Sequence, residues 1–542
     1  MTMINIDFLT LRAFLIENID FIIGSRIQKI QQPTRRDFIL SLRNNNESRK
    51  FYINICPQIY HIAFMSKENE ERRGIIIPQK PPMFCMLLRK YLEGARISDA
   101  LTVENERILE LHFESYDELS QKRLLCLAVE LMGKHSNVIL YDKESCIIIG
   151  CAHNVGPEKS RYRELQGGLK YVYPPGVGVN VGVNAGKVVN VGENSFPFPA
   201  EAGSESGQVC DNRLSNELKK QFAGLSQKKI NHYLITETFT PAIKDNRYTL
   251  FEELIEGSIR QNSVNEMIDN YYSEIQQKIN LKTAKNQLLE VAATRLKKTN
   301  NSINKISLLL KKRDNTDKYK LFGELITANL YQKCDYLKEI EVYDYINNKN
   351  IIIELDETKT LKENAQRYFK LYTKSKATKE KSEEMIRSLG IEKEYLENVL
   401  YSIECAKNIK ELSDIKHELG MEVSKMTGQT KPVVEKVKIG GFDVYIGKNN
   451  KQNDFIVSKL AKDDDYWFHA RLCAGSHVLL KTNGQNPTED ILFECCKLAR
   501  KFSSASQPSK VGIIYTKAKN LRKPPASPLG YVTYKNEKEV LI

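Results

Sequence analysis

The sequence predicts a multidomain α+β protein with a long helical arm, on three observations. The chain has 542 residues, and domains average about 150 residues, so several domains are expected. Short strand patterns mixed with helices occupy both ends, in 1–175 and 433–542. Two long, charged and proline-free helical stretches lie between them, at about 262–313 and 358–420. The ends therefore predict sheet-containing domains, and the middle predicts a helical arm.

The first 175 residues alternate between strand and helix patterns. The stretch "RIQKIQQPTRRDFILSLRN" predicts two strands broken at Gln32-Pro33-Thr34, and "RILELHFES" and "SNVILYDKESCIIIGCAH" predict further strands. "MFCMLLRKYLEGARI" predicts a helix with Phe84 and Leu88 on one face, ended by Gly94. Together these elements predict an α+β domain with a substantial sheet.

The composition changes abruptly at 176–208, where Gly-Val-Asn units repeat. Without a GxxxxGK[ST] motif and a following helix, this stretch predicts a flexible low-complexity insertion rather than a phosphate loop. Two short amphipathic patterns then meet at Gly224-Leu225-Ser226. They predict a helix-hairpin-helix module over 209–261, with a small helical spacer as the alternative.

The stretch 262–425 predicts an antiparallel coiled-coil arm. Apolar residues such as Ile275, Ile279 and Leu288 recur at loose heptad-like spacing. The two helical stretches enclose a segment with strand character, which predicts a structured tip near 318–357. A plain helical bundle is the alternative.

Charge predicts an anionic partner. The chain has 81 Lys+Arg and 68 Asp+Glu, a net charge of +13 and a pI of about 9.0, and 433–542 alone carries 18 Lys+Arg against 11 Asp+Glu. Nucleic acid is the leading partner, and a solvated basic surface is the alternative. The 11 cysteines form no CxxC pair, which favours reduced thiols. Without a signal-peptide pattern or an apolar run of about 18 residues, we expect a cytoplasmic protein with no membrane contact.

A turn in "LMGKHSNVIL" carries polar side chains that can contact phosphate or bases, although His135 is equally suited to a protein core. The candidates are Lys134, His135, Ser136 and Asn137.

After Pro432 the pattern returns to strands in "KIGGFDVYIGKNNKQNDFIVSKLA" and "DDDYWFHARLCAGSHVLL", followed by the helix "EDILFECCKLARKFS". Trp467 and Phe468 are expected to alternate between core and surface, with Trp467 packing rather than stacking on a base. Gly475 would let backbone amides approach RNA closely. The further RNA-binding candidates are the amides Asn449, Asn450, Gln452 and Asn453, and the polar groups His469, Arg471, Ser476 and His477.

A metal site formed by His469, Cys473 and His477 is the rival interpretation of this stretch. Four-residue spacing suits ligands on a helix, whereas this stretch is strand-like with a glycine corner. A Ser-His nucleophile pair is also disfavoured, because no nucleophile elbow is present. No metal or cofactor is therefore expected.

Several of these motifs together resemble the NFACT family of ribosome quality-control proteins, which includes the bacterial RqcH proteins. The C-terminal signature is "GGFDVYIGKNNKQND" followed by "DDDYWFHARLCAGSHV". The N-terminal one is "PPMFCMLLRKYLEGARI", "ELMGKHSNVILYD" and "YVYPP", and the arm contributes "LFGELITANLY" and "NAQRYFKLYTK". The resemblance covers essentially the whole chain apart from the insertion.

The resemblance implies an N-terminal fold similar to formamidopyrimidine-DNA glycosylases, although residue 2 is Thr and the proline nucleophile of those enzymes is absent. It also implies a monomer bound to the large ribosomal subunit that carries peptidyl-tRNA. Such a factor recruits an aminoacyl-tRNA, alanyl-tRNA in bacteria, for C-terminal tailing of the stalled chain without mRNA. The ribosome performs peptidyl transfer, so the chain itself is not expected to be an enzyme.

The resemblance implies three further tRNA-binding residues. Asp7 is the N-terminal acid of the family, and Glu106-Arg107 aligns with an Asp-Arg pair. Arg107 can form a forked contact with phosphate or a base edge. Glu106 keeps the charge but moves the carboxylate by about a methylene, which bears on tRNA selectivity and tailing rate. The structural alternative is an exposed ion pair of little energetic value.

Two other functions are compatible with the sequence. Bacterial members of this family are also called fibronectin-binding protein A, so a surface adhesin is one alternative. The other is an RNA-binding factor that docks on the subunit without tailing activity, as a consequence of Glu106.

Overall fold

A computed structural model of the chain defines residues 5–103, 106–116, 121–175, 220–221, 238–313, 315–332, 335–421, 432–504 and 511–542. The chain divides into two compact units, Met1–Asn280 and Leu281–Ile542. Both units contain helices and sheet, which confirms the prediction of a mixed multidomain protein.

The first unit is built on a nine-stranded antiparallel sheet. Its strands are β1 Arg26–Thr34, β2 Asp37–Asn44, β3 Glu47–Asn54, β4 His61–Met65, β5 Arg96–Thr102, β6 Ile108–Tyr116, β7 Lys122–Glu130, β8 Asn137–Asp142 and β9 Ile148–Cys151. Their order across the sheet is β4-β3-β2-β1-β5-β6-β7-β8-β9. Most neighbours in the sheet are therefore also neighbours in sequence, as expected for short connections.

The turn between β1 and β2 differs from its sequence prediction. The break was expected at Gln32-Pro33-Thr34, whereas β1 continues to Thr34 and the chain turns at Arg35 and Arg36. The pairing of β1 with β2 shifts register between Gln31 and Thr34. Such an irregularity tolerates proline, which has no amide hydrogen to donate. The turn consequently exposes two adjacent arginines.

Helices cover one face of this sheet. They are α1 Phe8–Ile22, α2 Lys67–Arg73, α3 Met83–Leu92 and the first turns of α4 Val264–Arg313. The main core lies between them and includes Phe14, Phe38, Phe51, Phe113 and Tyr272. Burying each such side chain contributes about 1.5–3 kcal/mol.

The segment 152–173 covers part of the opposite face. Its Leu165 and Tyr171 pack with Ile108, Cys126 and Ile139 in a second cluster. Strands β6 to β8 are therefore buried on both faces.

The end of the predicted helix-hairpin-helix region forms strands. β10 Ala242–Lys244, β11 Arg247–Thr249 and β12 Ile259–Arg260 make a small three-stranded sheet. The amphipathic segments that predict the helical module lie outside the described residues except for 220 and 221, and so does the insertion at 176–208. Both stay predictions.

The second unit contains the long helices expected for the arm. The rest of α4 packs against α6 Leu361–Cys405 and α7 Ile409–Glu418. Lys285 Nζ donates to the Glu404 carbonyl oxygen at 2.7 Å, and Arg295 lies beside Tyr395. Residue numbers rise along α4 as they fall along α6, so the two helices run antiparallel.

A compact segment connects these helices. It consists of α5 Thr316–Ala328 and the hairpin β13 Glu339–Asp344 with β14 Lys349–Glu354. Leu325, Ile340 and Ile353 form its core with Tyr368 of α6. A capping box between Thr360 and Glu363 begins α6, which satisfies amides that would otherwise lack partners.

The C-terminal part is a six-stranded sheet with helices on it. The strands are β15 Glu435–Ile439, β16 Phe442–Ile446, β17 Tyr466–Ala470, β18 Val478–Lys481, β19 Gly512–Lys517 and β22 Lys538–Leu541, in the order β15-β16-β18-β17-β19-β22. β20 Leu521–Arg522 and β21 Thr533–Tyr534 form a separate pair. The helix α9 Glu489–Lys501 packs on one face.

Two sequence expectations for this sheet were wrong. The stretch after β16 was expected to be strand, but Asn450–Phe455 forms α8 and continues in a π-helical turn, Ile456–Leu460. Trp467 and Phe468 were expected to alternate between core and surface, but they are 1% and 0% exposed. Alternate residues of a strand point to opposite faces, so both faces of β17 are buried. The packing role expected for Trp467 is confirmed.

In the described residues, every helix is too short or too polar to cross a membrane.

Candidate nucleic-acid interface

An open cleft of about 1410 Å³ in the first unit brings most of the predicted N-terminal site together. Glu106, Arg107 and the turn 134–137 line it, although these segments are separate in sequence. Pairing of β6 with β7 explains their meeting. Ile108 lies opposite Glu130, and Leu131 N donates to Arg107 O at 2.8 Å.

Arg107 is held at the cleft by an aromatic neighbour. Its Nη1 donates to the Tyr60 hydroxyl at 2.9 Å, and the guanidinium lies 5.8 Å from the Tyr60 ring centroid. Burial raises the pKa of Tyr60, so the phenol stays protonated. The guanidinium is half-buried and keeps further N–H groups for an anion or a base edge.

Glu106 is also half-buried. Burial raises the pKa of its carboxyl, and the Arg107 charge opposes this effect. The negative charge of Glu130 also raises the pKa of Glu106. The carboxylate can accept from an amine on a base or orient Arg107.

The predicted turn divides into two exposed and two buried side chains. Lys134 and His135 are exposed, so His135 is not a core histidine. Ser136 Oγ accepts from Met132 N at 2.8 Å. Asn137 Nδ2 donates to His153 O at 2.8 Å, and its Oδ1 accepts from His153 N at 3.0 Å. Ser136 and Asn137 therefore shape the cleft wall. The exposed Lys134 and His135 can reach a ligand.

Asp7 does not line the cleft and is 3% exposed. Its carboxylate caps α1 by accepting from Thr10 N at 2.9 Å and from Thr10 Oγ1 at 2.8 Å. Its negative charge raises the pKa of the Tyr60 hydroxyl, the same hydroxyl that accepts the hydrogen bond from Arg107. Asp7 can thus influence Arg107 indirectly.

Much of the positive charge in this cleft comes from residues that the sequence patterns did not indicate. The described lining holds seven Lys or Arg side chains against one carboxylate, that of Glu106; the additional cations are Arg35, Arg36, Lys159, Arg161 and Arg163. Four of these five are arginines in RR or RxR pairs. Such pairs are common on protein surfaces, so they do not by themselves indicate a site. The cleft therefore favours an anionic ligand.

One of these cations, Arg163, is already paired with a carboxylate of the protein. Arg163 makes a two-pronged contact with Glu130, at 2.5 and 2.8 Å, and Tyr171 donates to the same carboxylate at 2.9 Å. The contact fixes the segment 152–173 on the sheet. Six cations then remain to face a ligand.

His153 is a further cleft residue that the sequence did not single out. Its Nε2 is buried and has no hydrogen-bond partner among the described residues. Burial lowers its pKa, and the nearby charges of Arg36, Arg35 and Lys159 lower it further. The imidazole is therefore neutral and able to accept or donate one hydrogen bond in the cleft.

The cleft also has an apolar wall. Phe84, Leu87 and Ile149 line it, and the exposed Met83 stands beside them. Cations beside an apolar wall are suited to phosphates together with unstacked bases.

Of the predicted amides of the C-terminal domain, Asn449, Asn450 and Asn453 are buried and Gln452 is half-buried. Asn449 caps α8 by accepting from Gln452 N at 2.9 Å, and Gln452 Oε1 accepts from Lys448 N at 2.8 Å. Asn450 donates to Glu418 at 3.0 Å, and Asn453 Oδ1 accepts from His477 N at 3.0 Å. These contacts favour a supporting role over direct contact with RNA.

Gly475 packs against Phe502 and Ser503 of the same chain rather than facing solvent. A Cβ built on it would lie 3.1 Å from Ser503 Cβ and 3.3 Å from Phe502 O. Its amide donates to Asn398 Oδ1 at 3.0 Å. The neighbouring Ser476 is 4% exposed, whereas Arg471 is exposed and pairs with Glu539. Arg471 is thus the predicted C-terminal residue most open to a ligand.

The two histidines pack with Trp467. His469 stacks on the indole at 5.7 Å between centroids, and His477 meets both rings edge-on at 5.2 Å. Burial lowers the pKa of His469 to about 4, and burial also lowers the pKa of His477 well below its usual value. Both imidazoles are neutral near pH 7. With Cys473 they do not form a group of converging ligand atoms within the described part of the chain.

Comparisons with known proteins identify related chains. Residues 7–185 and 201–432 match the NFACT N-terminal and middle domains, and 433–536 match the NFACT protein RNA binding domain. The Rqc2 homolog RqcH of Bacillus subtilis (strain 168) is 30% identical over 554 aligned positions, covering 96% of this chain and 95% of that protein.

Two further similarities cover different lengths of chain. The Rqc2 homolog RqcH of Streptococcus suis (strain 05ZYH33) is 29% identical, with 96% of this chain and 94% of that protein covered. A solved structure of the N-terminal part of the fibronectin/fibrinogen-binding protein from Streptococcus suis is 26% identical. It covers 50% of this chain and 100% of that one, with a TM-score of 0.41.

Proposed function

This chain belongs to the NFACT family, and on that premise we propose that it acts in ribosome quality control by bringing a charged tRNA to an obstructed large subunit. The subunit would still hold peptidyl-tRNA, and the recruited tRNA, alanyl-tRNA in this proposal, would extend the stalled chain without mRNA. The ribosome would catalyse peptidyl transfer. The protein would bind and position the tRNA.

The observation that carries this proposal is the basic cleft of the first unit. Glu106 and Arg107 meet Lys134 and His135 there, beside an apolar wall and the Arg35-Arg36 turn. A tRNA loop offers the matching chemistry, since it combines closely spaced phosphates with unstacked bases. Arg107 would fork onto a phosphate or base edge, and Tyr60 would hold its guanidinium in place.

Arg107→Ala tests the cleft directly. We expect the variant to sediment with large subunits in sucrose gradients as the wild type does, because other surfaces would hold the subunit. Enrichment of its tRNA and the yield of tailed chains should fall about tenfold, which corresponds to about 1.4 kcal/mol for one forked contact. Sequencing of co-purified, crosslinked RNA and an in-cell tailing assay measure the two effects.

Tyr60→Phe and Glu106→Asp are informative companions. Tyr60→Phe removes the hydroxyl that accepts from Arg107 and should give a smaller loss, of a few-fold. Glu106→Asp should change tailing modestly if Glu106 is already competent. Tailing that appears only in Glu106→Asp would instead identify a docking factor without tailing activity.

Two results would overturn the proposal. Normal tailing by Arg107→Ala would show that the cleft residues are misassigned. A wild-type protein that co-purifies with no RNA would remove the quality-control function altogether and favour the surface adhesin.

A further inference from the structure

Three potential metal ligands converge on the buried face of the first sheet, beneath the segment 152–173. Glu110 and His112 are alternate residues of β6, and Cys126 lies opposite His112 on β7. They are 2%, 5% and 0% exposed. One ligand atom from each lies within 4.8 Å of the other two, and no other His, Cys, Asp or Glu group in the described ranges meets this condition.

The spacing of the first two ligands fits a shared ion. His112 Nε2 lies 3.4 Å from Glu110 Oε2. A charge-assisted hydrogen bond is typically shorter, at about 2.7–2.9 Å. Two ligands bound tetrahedrally at about 2.0–2.1 Å would be roughly 3.3 Å apart. The observed separation therefore matches the distance expected between two ligands of one ion.

The surrounding groups leave the correct carboxylate oxygen available. Tyr141 and Tyr173 both donate to Glu110 Oε1, at 3.0 and 2.8 Å, so Oε2 faces His112 alone among these groups. The Tyr141 hydroxyl is also hydrogen-bonded to Cys126. It contacts two of the three ligands and can hydrogen-bond a water that completes the coordination.

Asp99 occupies the position of an orienting partner for the histidine. Its Oδ2 lies 3.6 Å from His112 Nδ1. A histidine bound to metal through Nε2 carries its proton on Nδ1 and commonly donates it to a carboxylate. Lys143 Nζ donates to Nδ1 at 2.9 Å in this structure. Metal binding therefore requires the exposed Lys143 side chain to move into solvent and the ring proton to lie on Nδ1 instead of Nε2.

We propose that Glu110, His112 and Cys126 form a Zn²⁺ site on the sheet beneath the segment 152–173, which the Tyr173 hydroxyl joins to the ligand Glu110. A mixed oxygen, nitrogen and thiolate set favours Zn²⁺ over Mg²⁺ or Ca²⁺. On binding, the Cys126 thiol releases its proton to solvent and the thiolate coordinates the ion. Because Tyr173 precedes Pro174 and Pro175 of the cleft lining, the ion would also stiffen one wall of the cleft.

The first test uses the full-length wild-type chain without a polyhistidine tag. After dialysis against Zn²⁺ and then against buffer, mass spectrometric metal analysis should find one zinc ion per chain. Replacing zinc by Co²⁺ should give a thiolate-to-cobalt charge-transfer band. A chain that retains no zinc, or a cobalt form without that band, would overturn the proposal.

Variants then test each ligand. Cys126→Ala and His112→Gln should lose the bound zinc, and Cys85→Ala is the control, since Cys85 is equally buried in the main core of the same unit. Asp99→Asn should weaken zinc binding by about 10–100-fold without abolishing it. Full zinc content in Cys126→Ala would contradict the assignment, and the wild-type cobalt spectrum decides the matter if that variant fails to fold.

Discussion

Asp7 shows how one side chain can serve the fold and the site together. It caps α1 through Thr10 and is buried, yet its charge reaches Tyr60, which holds Arg107. Family resemblance implies a tRNA-binding acid at this position. Its burial indicates that any effect on tRNA passes through Tyr60 and Arg107 rather than through direct contact.

Two substitutions at Asp7 separate these roles. Asp7→Ala removes the cap and should lower the free energy of unfolding by about 1 kcal/mol. Asp7→Asn keeps a capping oxygen, so its stability should stay within a few tenths of a kcal/mol of the wild type. Urea titration monitored by circular dichroism measures both. Equal losses of stability in the two variants would contradict the capping role.

The tailing yield of the same variants tests the electrostatic role. Asp7→Asn should reduce tailing less than Arg107→Ala does, because Arg107 keeps its hydrogen bond to Tyr60. A loss as large as that of Arg107→Ala in a fully stable Asp7→Asn protein would instead indicate direct contact with tRNA.

The C-terminal amides show why residue type alone predicts a site poorly. Asn449, Asn450 and Asn453 were predicted to donate to RNA, but they cap a helix, bind Glu418 and bridge to His477. Asparagine suits helix caps and ligand contacts for the same reason, since its short side chain offers both a donor and an acceptor. Only tertiary structure distinguishes the two uses.

At the level of elements, strand pairing assembles what the sequence scatters. The sequence predicted β6, β8 and α3 well, because apolar periodicity reports local structure directly. It also identified Glu106-Arg107 and the 134–137 turn as separate motifs. It could not predict that Arg35, His153 and Lys159 join them, since those contacts depend on sheet order and on the path of the segment 152–173.

Because the second face of β17 is buried, the stability of the fold is expected to depend on pH. His469 and His477 stay neutral in the folded sheet, whereas in the unfolded chain they protonate below about pH 6.5. The unfolded state then binds more protons, so stability falls as pH decreases from about 6.5 towards 4. Each histidine contributes about 1.4 kcal/mol per pH unit in that window.

Trp467 reports this effect directly, because it is the single tryptophan of the chain and packs against both rings. Urea unfolding followed by its fluorescence at pH 7.5 and pH 5 should show a lower midpoint at pH 5. His469→Gln should reduce the difference between the two midpoints. The exposed His417 provides the control, and an unchanged pH difference in His469→Gln would refute the assignment.

For the whole molecule, the net charge of +13 matters mainly where cations converge. Most surface charges on a protein are dispersed and screened beyond about 8–10 Å by physiological salt. The cleft differs, because six cations line it besides Arg163, which is paired with Glu130. Affinity for RNA should therefore depend on the placement of charges rather than on their total.

Salt dependence of tRNA binding tests this difference between placement and total charge. Each phosphate contact adds about 0.7–0.9 to the slope of log K against log salt. The double variant Arg35→Gln, Arg36→Gln should therefore lower the slope for purified tRNA by roughly 1.4–1.8. Arg26→Gln, Lys29→Gln removes the same charge from exposed positions on β1 that do not line the cleft, and its slope should match the wild type. Equal reductions in both double variants would mean that overall charge, and not the cleft, holds the RNA.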